Sequence, residues 1–349
     1  MTLLPGVRSA TVDTDRIRTH YLETGPPDGT PVVMVHGNLS SSRFYEHLLP
    51  GAPPHLRVIA PDMRGFGDSE PAPLDATRGL ADWADDIAAL LRALRIDAPP
   101  HLVGWSTGGA AIARFAMDRP VASLTFIDPV SPHGYGGTRP DGTPWFEDFA
   151  GSGGGTANPE FVRRLRDGDA SGESPLSPRN VMNLLYWAPG HREPREREDI
   201  LVGEILKSLI GDDGYPGDSV GSPNWPFVAP GTRGILNALS PKYCDWTGVV
   251  DLDPKPPVLW THGTNDLVVA DAAATEMGAL GSAGQVPGWP GADAFAPQPM
   301  IAQIRTVLDR YAAAGGRVRI EMFDGSGHGP HFDAHERWAA VFAEFLASV

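Results

Sequence analysis

The sequence predicts an α/β fold in which a mostly parallel sheet carries helices on both faces and is interrupted once by an inserted segment. Short apolar runs such as Val32–Val35, typical of strands buried on both faces, alternate with segments of helical apolar spacing such as Ala81–Leu94. This alternation is typical of parallel strands covered by helices. From Pro129 to about Val250 it gives way to Gly- and Pro-rich stretches with helical pieces between them.

The remaining elements follow from the local pattern of each segment. Apolar or alternating runs bounded by turn residues predict strands, and apolar positions at helical spacing predict helices. The charged run Arg192–Asp199 is interpreted as a solvated helix face. The other predicted strands are Arg16–Glu23, Val58–Ala60, His101–Trp105, Leu124–Ile127, Val258–Thr261 and Arg317–Phe323, and the other predicted helices are Ala110–Met117, Arg179–Trp187, Glu196–Leu209 and Ala334–Leu346.

Composition excludes several classes of function. The chain has 349 residues, of which 41% are apolar, and this suits one large domain or a core with an inserted cap. A net charge of −15 disfavours nucleic acid and anionic membranes as partners. Cys244 is the single cysteine, which excludes an internal disulfide, and no Cys/His cluster has metal-ligand spacing, so neither a metal nor a cofactor is expected. No signal-like start or bilayer-length apolar run is visible, so we expect a cytoplasmic protein.

Ser106 is the predicted nucleophile. It lies in Gly104-Trp105-Ser106-Thr107-Gly108, a G-x-S-x-G pattern that follows a predicted strand and opens a predicted helix, as this motif requires. A second match around Ser219 has no strand before it. Side chains at Gly104 and Gly108 are expected to clash in so tight a turn. The structural alternative for Ser106 is a helix N-cap.

A serine hydroxyl needs a base to take its proton, and His328 is the predicted base. It lies between two glycines, just after the last predicted strand, where sites in open α/β sheets are found. His331 is interpreted as a surface or capping residue at the start of the final helix. His36 and His262 each end a predicted strand before a glycine and are interpreted as structural turn residues.

Two aspartates compete for the role of the acid that orients the histidine. Asp266 follows the strand Val258–Thr261, and Asp128 follows the strand Leu124–Ile127. The chain order serine, acid, histidine favours Asp266. Asp128 precedes a proline and has a simpler interpretation as a turn residue.

Four motifs in order resemble the α/β-hydrolase fold superfamily over nearly the whole chain. They are His36-Gly37-Asn38, the segment Asp62–Ser69, the Ser106 turn, and the Asp266 and His328 loops. The resemblance implies an eight-stranded core with a mainly helical cap after the sixth strand, hence a core of residues 1–128 and 251–349 and a cap of residues 129–250. It also implies an oxyanion hole made by the backbone N–H groups of Asn38 and Thr107.

Details of these motifs narrow the chemistry. The motif His36-Gly37-Asn38 is similar to the one in haloalkane dehalogenases, whose nucleophile is an aspartate. Alkylation of Ser106 would instead leave an ether that water does not readily cleave. Dehalogenation is therefore excluded on mechanism. The sequence from Gly104 to Gly109 resembles cofactor-free haloperoxidases and related esterases. We therefore expect an esterase or lactonase that acts through an acyl-serine.

The long cap, rich in aromatic residues, predicts a pocket for a bulky apolar ester or lactone, such as a zearalenone-type macrolactone. Leu39, Val130, Trp187 and Leu267 are expected to line it. The expected partner is this small molecule, and a homo-oligomer is left open. A carbon–carbon bond hydrolase of a diketone and a non-catalytic ligand receptor remain as alternatives.

Ala270–Gln298 is predicted to be an insertion that is not typical of the family. It is expected to cover the site or to form a subunit contact.

Overall fold

The structure is a computed structural model that describes residues 2–349. Its strands, in chain order, are β1 (Arg8–Asp13), β2 (Arg18–Thr24), β3 (Thr30–Val35), β4 (Leu56–Pro61), β5 (His101–Trp105), β6 (Ser123–Ile127), β7 (Ile210–Gly211), β8 (Tyr215–Pro216), β9 (Ser219–Gly221), β10 (Val228–Pro230), β11 (Val258–Gly263) and β12 (Val318–Phe323). Eight of them form one sheet in the order β1-β2-β4-β3-β5-β6-β11-β12. Strand β2 is antiparallel to both of its neighbours, and the other pairs are parallel.

Ten α-helices complete the fold of residues 2–349. Helix α1, which was predicted from its apolar spacing, buries its apolar face. The helices are α1 (Ala81–Ala93), α2 (Thr107–Asp118), α3 (Pro159–Arg166), α4 (Pro178–Leu185), α5 (Arg195–Ile205), α6 (Ile235–Ala238), α7 (Met277–Ser282), α8 (Met300–Ala313), α9 (Pro330–Asp333) and α10 (His335–Ala347).

The core is centred on the parallel strands. In β3, every residue from Pro31 to Val35 is buried, because β4 and β5 flank this strand and helices cover both faces of the sheet. Strand β1, at the edge, alternates exposed and half-buried residues. The predicted fold class, an α/β sheet of eight mostly parallel strands with helices, is confirmed.

Residues between β6 and β11 add no strand to the eight-stranded sheet. They form helices α3–α6 and two small two-stranded sheets, β7 with β8 and β9 with β10. The boundaries predicted for a cap, residues 129–250, fall inside this interruption. We call residues 129–250 the cap from here on.

The insertion Ala270–Gln298 packs against the cap. The Trp225 indole N–H donates to the carbonyl of Pro287 at 2.9 Å, and the Gln298 amide donates to the carbonyl of Gly134 at 3.0 Å. Phe295 is fully buried in a cluster with Trp225 of the cap and Met277 of the insertion.

No helix in residues 2–349 is both long and apolar enough to cross a bilayer.

The charged run Arg192–Asp199 differs from the solvated face predicted for it. Arg197 forms an ion pair with the buried Glu46, and Glu198 is buried in an ion pair with Arg179. Helix α5 therefore turns part of its charge inward, where it joins the cap to the loop after β3.

Candidate active site

Five residues that could take part in catalysis follow the carboxyl ends of parallel strands. Asn38 follows β3, Ser106 follows β5, Asp128 follows β6, Asp266 follows β11 and His328 follows β12. Because these strands are neighbours in one sheet, their carboxyl ends meet at one edge, which is where open α/β sheets place their sites.

Ser106 occupies a strained turn between β5 and α2. Its backbone has φ 55° and ψ −116°, a conformation that side-chain-bearing residues rarely adopt. The turn is held by the Ser106 N–H, which donates to the carbonyl of Ile127 at 2.9 Å. A Cβ at Gly104 would lie 2.4 Å from the carbonyl oxygen of Gly108, and one at Gly108 would lie 2.1 Å from that of Val35, so both positions require glycine.

His328 and Asp266 form a buried pair. The Nδ1 atom of His328 lies 2.8 Å from Oδ2 of Asp266, while Oδ1 of Asp266 accepts from the backbone N–H groups of Val268 and Val269 at 2.7 and 3.0 Å. Burial works to raise the pKa of Asp266, but the charge and hydrogen bond of His328 outweigh it and hold this pKa below its usual range. The carboxylate is therefore ionised and oriented toward the ring.

The His328 loop contacts the Ser106 turn through Trp105. The Trp105 indole N–H donates to the backbone carbonyl of His328 at 2.6 Å, and the two rings lie 5.6 Å apart. Within residues 2–349 the Ser106 hydroxyl and the His328 ring make no direct hydrogen bond; such contacts often tighten only when substrate binds. The Nε2 atom of His328 is left available because Asp266 takes Nδ1.

Asp128 lies beside this pair but not on His328. Its Oδ1 accepts from the Gly263 N–H at 2.8 Å, and its Oδ2 meets no donor in the described chain. Burial, with the negative charge of Asp266, raises the pKa of Asp128 well above its usual range. Of the two candidate acids, the structure joins only Asp266 to the histidine.

His262 is fully buried between the two aspartates. Its Nε2–H donates to the carbonyl of Val269 at 2.9 Å, and its Nδ1 is 3.6 Å from Asp128. Asp128, His262 and Asp266 hold potential metal-ligand atoms within 4.8 Å of one another. Since Asp266 is already bonded to His328 and to two backbone N–H groups, we assign no metal to them.

Two backbone N–H groups near Ser106 have no protein acceptor in residues 2–349. They belong to Asn38 and Thr107, the predicted oxyanion-hole residues. The Asn38 side chain turns back on its own loop, where its Oδ1 accepts from the Leu39 N–H at 3.0 Å, and Leu39 has a positive φ of 46°. The N–H groups are thus free to receive an anionic oxygen.

The order of strands, the turn at Ser106 and the His328–Asp266 pair together define a family. The profile described as "Alpha/beta hydrolase family" matches residues 32–341. The chain belongs to the alpha/beta hydrolase family.

Relatives within this family have several activities. This chain is 32% identical over 112 residues to the magnesium-chelatase 30 kDa subunit of Rhodobacter capsulatus, covering 32% of this chain and 39% of that protein. It is 37% identical over 142 residues to the non-heme chloroperoxidase of Streptomyces lividans, covering 39% of this chain and 50% of that protein. It thus spans half or less of the length of each of these curated relatives.

Among solved structures, the esterase RhEst1 from Rhodococcus sp. ECU1013 is similar over 98% of this chain and 99% of that chain. The TM-score is 0.57 and the identity 20%, a likeness that shows the fold alone.

Four residues were predicted to line the substrate pocket. Leu39, Val130 and Trp187 are buried, whereas the side chain of Leu267 is 37% exposed. Leu267 directly follows Asp266 and borders a groove of about 560 Å³, which we call the Leu267 groove. Its other lining residues are Glu173, Pro175, Asn180, Asn183, Leu184, Pro189, Gly190 and Arg192.

Trp187 does not line the Leu267 groove directly. Its indole N–H donates to Oδ1 of Asn183, a groove residue, at 3.1 Å. Val130 contacts the Ser106 turn instead, because its N–H donates to the carbonyl of Ser106 at 3.2 Å.

The competing serine, Ser219, lies in an exposed position of β9, in the cap.

Sequence reasoning missed two residues that contact the loops of the site, Tyr186 and Asp333. Asp333 accepts from the N–H groups of Gly327 and Ala188 at 2.8 and 2.7 Å. Its position five residues after His328 was a signal, but the partner at Ala188 is distant in sequence.

Proposed function

We propose that this alpha/beta hydrolase cleaves a carboxylic ester or lactone through an acyl-serine intermediate. The observation that carries the proposal is the 2.8 Å hydrogen bond from His328 Nδ1 to Asp266, since it leaves Nε2 as the acceptor for the Ser106 proton. The family membership and the esterase fold likeness support hydrolysis in general.

The proposed reaction has two halves. Ser106 Oγ attacks the ester carbonyl carbon while its proton passes to Nε2 of His328, and the carbonyl oxygen, now negative, accepts from the N–H groups of Asn38 and Thr107. The carbon–oxygen bond to the leaving group then breaks, and His328 returns the proton to that oxygen. Water, deprotonated by His328, cleaves the acyl-serine and restores the Ser106 hydroxyl.

The Leu267 groove supports an apolar substrate. Leu184 is 60% exposed and Leu267 is 37% exposed, and both belong to a short set of large apolar side chains that face solvent in residues 2–349. Apolar surface in a concave groove beside Asp266 is suited to the bulky part of an ester or lactone, a macrolactone of the zearalenone type included.

The test is a panel of aryl esters and lactones of graded size, with wild-type protein and Ser106→Ala in parallel. We expect the wild-type protein to turn over bulky apolar members of the panel faster than small ones. We expect turnover by Ser106→Ala to be lower by about three or more orders of magnitude. A diketone is added to the panel, and its cleavage without release of an alcohol would point instead to carbon–carbon bond hydrolysis. Binding of these compounds with no turnover would point to a receptor.

A further inference from the structure

A three-residue stretch of the cap, Tyr186–Ala188, contacts both loops that the proposed reaction depends on. It directly follows α4. On one side its first residue bonds to the loop after β3, and on the other its last residue bonds to Asp333 behind the His328 loop. The backbone contact is close, since a Cβ at Gly327 would lie 2.3 Å from the carbonyl carbon of Trp187.

The Tyr186 hydroxyl lies 3.0 Å from the carbonyl oxygens of both Asn38 and Leu39. Burial raises the pKa of Tyr186 far above its usual range, so the group stays a hydroxyl and donates its proton to these carbonyls. The ring is fixed by packing against Trp105, whose ring centroid is 5.3 Å away, and against Phe44 at 5.9 Å.

These bonds act where the backbone is strained. Leu39 has φ 46°, a left-handed conformation that costs free energy in a residue with a branched side chain. A hydrogen bond to its carbonyl and to that of Asn38 favours this arrangement over relaxed alternatives. The conformation of Asn38 sets the direction of its N–H group, which is one of the two free donors beside Ser106.

We infer that Tyr186 is a positioning residue for the oxyanion hole. The cap thus holds the Asn38 N–H in place through one hydroxyl, and the donor is aligned when the cap is seated on the core. This inference rests on the proposed function, because it concerns stabilisation of the negative oxygen during ester cleavage.

The test compares Tyr186→Phe with wild type and with Tyr243→Phe. Tyr243 is a matched control, since it is also a half-buried tyrosine of the cap whose hydroxyl donates to a backbone carbonyl, that of Gly231 at 3.0 Å. For Tyr186→Phe we expect kcat on an aryl ester to fall about tenfold, as loss of one well-placed hydrogen bond allows, with KM changed less than about twofold.

The readout that separates positioning from general support is binding of an arylboronic acid, which forms a tetrahedral adduct on the serine. Its affinity should fall by the same factor as kcat in Tyr186→Phe and stay at the wild-type value in Tyr243→Phe. Equal kcat and boronate affinity in Tyr186→Phe and wild type would overturn the inference, as would equal losses in both variants. If Ser106→Ala keeps wild-type turnover, the proposed function fails instead, and the two failures are thereby distinguished.

Discussion

Replacing Asp266 by asparagine is expected to remove most activity for a reason visible in its contacts. One carboxylate oxygen of Asp266 accepts from the N–H groups of Val268 and Val269, so the amide oxygen of an asparagine must take that place. The amide NH₂ then faces His328 Nδ1, which has to become an acceptor. The ring proton moves to Nε2, the nitrogen that should receive the proton of Ser106.

The expected loss in kcat is about four orders of magnitude, as for other triads forced into the wrong tautomer. Asp128→Asn is the matched comparison, because Asp128 is a neighbouring buried aspartate that bonds Gly263 rather than His328. An asparagine can keep that bond with its side-chain oxygen, and it carries no charge beside Asp266. We expect Asp128→Asn to lose less than about fivefold in kcat.

The assay is steady-state hydrolysis of an aryl ester by wild type and both variants, with circular dichroism and denaturant unfolding to show that each remains folded. If Asp128→Asn is the crippled variant and Asp266→Asn keeps most activity, the acid lies after β6 and the assignment is wrong.

Four further outcomes are expected from other contacts. Because the folded-state pKa of Asp128 is raised, its cost to stability is absent below the unfolded-state pKa and grows as the pH rises above it. The gain in unfolding free energy of Asp128→Asn over wild type, measured in urea titrations, should therefore increase with pH by up to about 1.4 kcal/mol per pH unit. A difference that stays constant with pH would contradict the raised pKa. Gly327→Ala should lower kcat more than about tenfold, because the new methyl must displace the Trp187 backbone; unchanged kinetics would show that the loop has room. Asp333→Asn should be tolerated, because the Ser326 hydroxyl can rotate and accept a hydrogen bond from the new amide. Asp333→Ala should lower the unfolding free energy by about 1–3 kcal/mol, because the Gly327 N–H loses its acceptor. Equal stabilities of wild type and Asp333→Ala would show that this contact does not stabilise the fold. Leu184→Gln should raise KM for long-chain esters and leave that for an acetate ester unchanged; equal effects would separate the Leu267 groove from substrate binding.

Much of the fold was predictable because its signals are local. A strand buried on both faces is mostly apolar, so β3, β5, β6 and β11 are visible as short apolar runs in the sequence. Strand β1 was not predicted, since it lies at the edge with polar residues on its exposed positions. Helix α8 was also missed; it follows the Pro- and Gly-rich insertion, which obscured where regular structure resumes.

The positions of Ser106, Asp266 and His328 were predictable because each lies within about five residues of the end of a strand, and neighbouring parallel strands bring their ends together. What could not be predicted are contacts between residues far apart in sequence. The partner of Arg197 is Glu46, and that of Tyr186 is the Asn38–Leu39 backbone. No local pattern reveals that a charged run will be half-buried or that a cap tyrosine will reach the oxyanion loop.

The acyl-serine at Ser106 is the central claim, and mass spectrometry tests it most directly. The protein is mixed with an aryl ester, quenched in acid during turnover and digested, and the peptides are searched for the mass of the acyl group. The account predicts the adduct on the peptide that contains Ser106, with none in Ser106→Ala. An adduct on the peptide that contains Ser219, or undiminished turnover by Ser106→Ala, would contradict it.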